Sequence, residues 1–197
     1  MKFLKEISSI PANDDEDLLE SVNNLTTYKF DLINLSMKIS ISVIYAFGLG
    51  YSLFYCNGKI ISTFIRFLIL FLLTYYLIKV LHEFIHALTL PKIFSNNVNL
   101  LFNFKILSVN VYSNSSVSKY RVILFLLIPI IILTFIPTIL SYLLGFNIYL
   151  YVLASINAIL SSKDILNLIL VIKNIDNDCN ILIKPNKLYY NKNTGKE

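Results

Sequence analysis

The chain has 197 residues, of which 56% are hydrophobic, with a mean hydropathy of +0.66 and a net charge of +5. That apolar share arrives in long runs, which excludes an ordinary soluble globule and points to a bilayer as solvent. Two cysteines, Cys56 and Cys179, exclude a disulfide framework, and the positive charge is expected to serve membrane orientation and not nucleic-acid binding.

Residues 1–34 form a polar N-terminal region. Its start, Met1-Lys2-Phe3-Leu4-Lys5, leads to Asp14-Asp15-Glu16-Asp17 and lacks the apolar core of a cleavable signal peptide, so the first span is expected to be retained. Asn13 followed by acids predicts a short capped helix over residues 14–22. Four apolar stretches each approach the roughly 20 residues of a spanning helix: about 35–56, 67–90, 122–144 and 148–172. The fold class they predict is an all-α polytopic membrane protein. Between the second and third spans, Val98, Leu100, Phe102, Phe104 and Ile106 alternate with other residues, and the phase flips to Leu107, Val109 and Val111. This predicts a short hairpin-like pair of strands with a bend near Lys105–Leu107. Such a pair either caps the helix ends or pairs with an extended substrate, and both readings stay open. Pro129 and Pro137 are expected to kink the third span and leave carbonyls unpaired. Residues 176–197 make a basic tail, loose or folded into a second short hairpin. The expected organisation is therefore a polar region (1–34), a membrane-embedded domain (35–175) and the tail.

Thirteen of the seventeen Lys and Arg residues fall in the N-terminal region, the middle loop and the tail or, as Lys38 and Lys173, at the adjoining span ends, against Lys59 and Arg66 on the opposite side. This asymmetry predicts that both termini and the middle loop are cytoplasmic.

The chemistry concentrates in one pentapeptide, His82-Glu83-Phe84-Ile85-His86. It holds the only two histidines, and between Leu32 and Ile175 the only acids are Glu83 and Asp164. Histidines four apart share a helix face and can hold one metal ion, and the glutamate after the first is placed to take a proton from an attacking water. His86 and His82 precede Pro91 by about 8 and 13 Å of helix, and Asp164 precedes the end of the fourth span by about 13 Å. A carboxylate at matching depth makes Asp164 the expected third ligand. Asn157, Ser161 and Asp164 form one polar stripe at i, i+4 and i+7. Asn157 is a candidate donor to a substrate carbonyl or oxyanion, or a bond between helices. Lys79, four residues before Glu83, has three open readings: a pair with Glu83, a neutral amine, or a substrate contact.

The run Leu81-His82-Glu83-Phe84-Ile85-His86-Ala87-Leu88, the strand-like loop, Leu127-Ile128-Pro129 and the Asn157…Asp164 pair resemble a bacterial family of multi-pass HExxH proteins described as zincin peptidases, a domain of unknown function. That family is similar to the site-2 proteases, the intramembrane zinc metalloproteases. The resemblance covers roughly residues 35–175. It implies a bacterial cell membrane, one Zn2+ held by His82, His86 and Asp164, and Glu83 as the catalytic glutamate. Where site-2 proteases carry an Asn-Pro element and an Asp-Gly pair, Asn157 is followed by Ala158 and Asp164 by Ile165. The expected function is a zinc metalloendopeptidase acting on a membrane-anchored or membrane-proximal protein or peptide near the cytoplasmic face. The alternatives are a non-catalytic membrane protein whose metal staples two helices, as accessory to a transporter or immunity system, and a proton or metal carrier. An intact glutamate beside the histidine favours the enzyme, because a structural zinc site needs no base.

Overall fold

Apolar runs without an internal proline give the two longest elements of the computed structural model, which describes residues 2–4, 20–21, 27–55, 60–91, 98–103, 108–184 and 187–190. Helix α1 spans Thr27–Tyr55 and α2 spans Ile60–Thr89, 29 and 30 residues each. At 1.5 Å per residue each is about 45 Å long, more than the roughly 30 Å of a hydrocarbon core. Their large side chains point outward: Phe47 is 76% exposed, Phe54 81% and Leu72 78%. Apolar surface of that extent is rare on a soluble monomer and is what a lipid-facing helix presents. Helix α2 stops just before Pro91, which cannot continue it. Its last carbonyls are satisfied locally, by Thr89 Oγ1 donating to His86 O at 2.8 Å and Leu90 N–H donating to Ala87 O at 3.2 Å.

The third apolar stretch is one path in three pieces. Helix α3 (Lys119–Ile130) contains Pro129, a π-helical turn follows over Ile131–Phe135, and α4 (Ile136–Leu143) carries Pro137 in its first turn. The turn is marked by the Ile136 N–H bonding the Ile131 carbonyl, five residues back. The kinks expected from the prolines thus take the form of a widened turn between them. Beyond α4, Gly145 and Phe146 adopt φ of 71° and 66°, and Asn147 caps the next helix by accepting from Tyr149 N–H and Leu150 N–H.

The fourth stretch departs from expectation. It is not one straight span but two helices, α5 (Ile148–Leu160) and α6 (Ser162–Asn174), bent by 49°. The break falls on the Ser161–Ser162 pair, a known type of kink site. Ser161 closes α5 through its N–H on Asn157 O at 2.8 Å, while Ser162 Oγ donates to Asn34 Oδ1 of α1 at 2.8 Å. Among the described residues, three helical paths are long and apolar enough to cross a membrane, Lys29–Phe54, Ile61–Thr89 and Lys119–Leu143, and the bent pair makes a fourth if it counts as one span.

The described residues are mostly helical, as expected, and carry more strand than the one hairpin expected. Strand β3 (Val98–Asn103) runs antiparallel to β4 (Ser108–Ser113), in register from Val98↔Ser113 to Asn103↔Ser108, where alternation predicted a strand pair. The expected bend at residues 105–107 lies outside the described residues. Strand β1 (Lys2–Leu4) adds to β3 in parallel. A second sheet, unforeseen apart from its tail hairpin, joins β2 (Glu20–Ser21), β5 (Val117–Ser118), β6 (Asn180–Lys184) and β7 (Lys187–Tyr190) in the order β2-β7-β6-β5. Glu20 and Ser21 are therefore strand where a helix over 14–22 was expected; the rest of that segment lies outside the described residues.

The chain divides into two compact units. One contains α1, α2 as far as His82, the π turn, α4 and α5, with a core of Leu49, Leu53 and Tyr151 packed by Tyr45, Phe67 and Phe146. There the Tyr151 hydroxyl donates to Tyr45 O at 2.5 Å, and the Tyr45 and Thr138 hydroxyls bond at 2.9 Å. The other contains the sheets, the end of α2 from Glu83, α3 to Ile128 and α6 from Asp164. It buries Val109, Val111, Ile181 and Ile183, and Lys119 Nζ donates to Ile175 O at 2.6 Å and Asn177 Oδ1 at 3.2 Å.

Candidate metal centre

Helix α2 fixes the relation of the two histidines, since residues four apart lie one turn above each other on the same face. Both are buried, His82 at 4% and His86 at 2% exposure. Asp164 sits in the first turn of α6, just past the break, and its Oδ2 lies 3.3 Å from His86 Nε2. One ligand atom from each of His82, His86 and Asp164 falls within 4.8 Å of the other two. The straight-helix depth arithmetic does not survive the 49° bend, yet the three residues it picked out are together.

Hydrogen bonds on the far side of each ring decide which nitrogen carries the lone pair. His86 Nδ1 meets the Phe125 carbonyl at 2.7 Å; a carbonyl only accepts, so Nδ1 holds the proton. The ring is stacked on the Phe125 side chain at 4.3 Å between centroids. His82 Nδ1 lies 2.8 Å from Asn157 Oδ1. The orientation of that amide follows from its other end, where Nδ2 donates to the Pro129 carbonyl at 3.0 Å, to Thr134 Oγ1 at 2.9 Å and to Ser161 Oγ at 3.3 Å. Reversing the amide would set two acceptors face to face at the Pro129 carbonyl. His82 Nδ1 is therefore also a donor, and in the neutral form of both rings Nε2 carries the lone pair.

The donor set suits zinc. Two neutral imidazoles and one carboxylate are a known catalytic zinc set that leaves a fourth position for water or substrate. Ligand bonds of about 2.05 Å in a tetrahedron put neighbouring ligand atoms roughly 3.3 Å apart. The His86–Asp164 separation of 3.3 Å is already that length, and no pair in the trio exceeds 4.8 Å.

Glu83 follows His82 on α2 and is half-buried, as is Lys79 one turn earlier. Asn157 is fully buried, and its amide is engaged with His82, Pro129, Thr134 and Ser161. The polar stripe of Asn157, Ser161 and Asp164 was legible in the sequence; the bond from Asn157 to His82, and the part played by Phe125, Pro129 and Thr134, was not. A proline four residues after Phe125 was the signal that could have exposed the Phe125 carbonyl as an acceptor.

A family model for proteins described as "putative zincin peptidase" matches residues 75–179, just over half of the chain. The matched segment contains His82, Glu83, His86, Asn157 and Asp164. No curated protein and no solved structure matches the chain.

Proposed function

The chain belongs to this zincin peptidase family, and from that premise we propose that it is a membrane-embedded zinc metalloendopeptidase. The observation that carries the reading is the trio of two buried histidines, His82 and His86, with the part-buried Asp164, in a chain whose described residues include three helices able to cross a bilayer. One Zn2+ per chain would be held by these three residues. When bound, the ion supplies Lewis acidity toward a water and a peptide carbonyl. Glu83, next to a ligand and half-buried, takes the proton from the attacking water and returns it to the leaving amine, a role worth about 10²–10⁴-fold. Burial of the histidines keeps bulk water out and strengthens each charge interaction at the site. The distribution of Lys and Arg supports cytoplasmic termini and a cytoplasmic middle loop. The substrate is then a membrane-anchored or membrane-proximal protein cut near that face, and the relation to site-2 proteases belongs to the same proposal.

The test is Glu83→Gln beside wild type in proteoliposomes, with zinc content and cleavage of a panel of doubly labelled single-span peptides measured together. The variant should hold as much zinc as wild type and lose at least about 10²-fold in cleavage. A folded, zinc-loaded Glu83→Gln protein that cleaves as fast as wild type would sink the mechanism. Zinc uptake with no Glu83-dependent cleavage would favour the metal as a staple.

A further inference from the structure

Proline at position 129 has no N–H to give to the carbonyl of Phe125, four residues earlier in α3. That carbonyl accepts instead from His86 Nδ1 at 2.7 Å. The carbonyl of Pro129 itself accepts from Asn157 Nδ2 at 3.0 Å, and the amide so held turns its oxygen to His82 Nδ1 at 2.8 Å. Both histidines of the HExxH segment thus have their protonated nitrogen fixed by an acceptor that traces to one proline. Pro129 is among the most fully buried side chains, so its ring is no lipid-facing kink. The π turn completes the cradle. Thr134 is five residues beyond Pro129, about 140° away around an α-helix. The wider turn brings it back round, and Thr134 Oγ1 meets the same Asn157 amide at 2.9 Å.

We propose that Pro129 and Asn157 are positioning residues of the metal site, together holding His86 and His82 in the Nδ1–H form so that both present Nε2 to the ion. Partners of this kind orient ligating imidazoles, and removing one typically lowers metal affinity about 10–100-fold. The inference rests on the metal-site reading above, but it assigns work to residues that touch neither metal nor substrate. Pro129→Ala restores an N–H that competes for the Phe125 carbonyl. Asn157→Leu removes the acceptor of His82 and leaves the ring N–H buried without it.

The experiment is a competition titration of Zn2+ against a chelating dye on the purified full chain, for wild type, Pro129→Ala, Asn157→Leu and His82→Ala. Both positioning variants should bind zinc about 10–100-fold more weakly while still reaching the wild-type stoichiometry. A merely structural proline would behave otherwise. Replacing it with alanine removes a helix breaker, so the thermal midpoint of the metal-free Pro129→Ala chain should stay level or rise while its zinc affinity falls. If wild type takes up no zinc, or His82→Ala binds as well as wild type, the metal-site reading fails and the inference with it. If wild type binds and His82→Ala does not, but Pro129→Ala and Asn157→Leu match wild type, the inference alone fails. Ring ¹⁵N spectra of the metal-free wild type give a readout that needs no variant, since the chain has only two histidines. Both rings should keep Nδ1–H, and a ring protonated at Nε2 alone at either position would overturn the assignment.

Discussion

Under the proposed function, replacing Asp164 by alanine removes the one anionic ligand of the trio. Its side chain is 14% exposed, and its Oδ2 lies 3.3 Å from His86 Nε2, the spacing of two ligand atoms on one ion. The thermal midpoint of the metal-free variant, read beside that of the metal-free wild type, shows that the fold is kept. His86 does not depend on Asp164 for its position, because its ring stays tied to Phe125 O at 2.7 Å and stacked at 4.3 Å. The loss of affinity should then equal one ligand's share of the binding energy. Structural zinc sites with four ligands bind with roughly 10–16 kcal/mol, or about 3 kcal/mol per ligand. At 1.4 kcal/mol per factor of ten, Asp164→Ala should weaken zinc about 10²-fold. Asp164→Asn, which keeps an oxygen and drops the charge, should fall between the two. The assay is competition with a chelating dye in detergent, with thermal unfolding of the metal-free protein alongside. An Asp164→Ala protein within threefold of wild-type affinity would remove the carboxylate from the ligand set, and the tetrahedral spacing argument would fall with it.

A methyl added at Gly48 would lie 2.6 Å from the Tyr151 hydroxyl and 2.8 Å from that of Tyr142; Tyr151 is held by Tyr45 O, so Gly48→Ala should destabilise by about 1–3 kcal/mol in chemical unfolding and leave zinc stoichiometry alone. Unchanged stability would mean that this tyrosine cluster is loosely packed. The Tyr112 hydroxyl is buried with no hydrogen-bond partner among the described residues, so Tyr112→Phe should be neutral or stabilising by up to about 1 kcal/mol, read as an unchanged or higher thermal midpoint. Reporter fusions at Lys105 and at the C-terminus should read cytoplasmic and one at Asn57 external; an external Lys105 would invert the proposed orientation.

The sequence showed the site more clearly than the fold around it. Two histidines at i, i+4 in an apolar helix need no tertiary information to share a face, so the pair was readable at once. Asp164 was readable because it is the lone acid of its stretch, although the straight helix used to place it is broken at Ser161. That break had a faint local signal, the Ser161–Ser162 pair, with no proline or glycine to sharpen it. Strands β3 and β4, six residues each, are long enough to show alternation. Strands β2 and β5 have two residues each and exist only through their partners, so no pattern within them could announce a sheet. The parallel pairing of Lys2–Leu4 with Asn99–Leu101 joins segments almost a hundred residues apart, which local propensity cannot see. The hydrogen bonds behind the histidines were hidden for the same reason. Phe125 reads as an ordinary helix residue, and Asn157 as a candidate substrate contact or interhelical bond, until the helices are put side by side.

The outward-facing apolar surface of α1 and α2 divides the chain into two kinds of position under random change. On the membrane reading proposed above, the neighbour at the exposed Phe47, Phe54, Leu72 and Leu73 is hydrocarbon, and leucine, isoleucine or phenylalanine would serve it equally well. Selection there sees only oiliness. At the inner polar points, Asn34 with Ser162, Tyr45 with Thr138 and Tyr151, and Asn157 with His82, each atom has a named partner and few substitutes exist. A lineage of this protein is therefore free to rewrite much of its spelling while a handful of letters stand still.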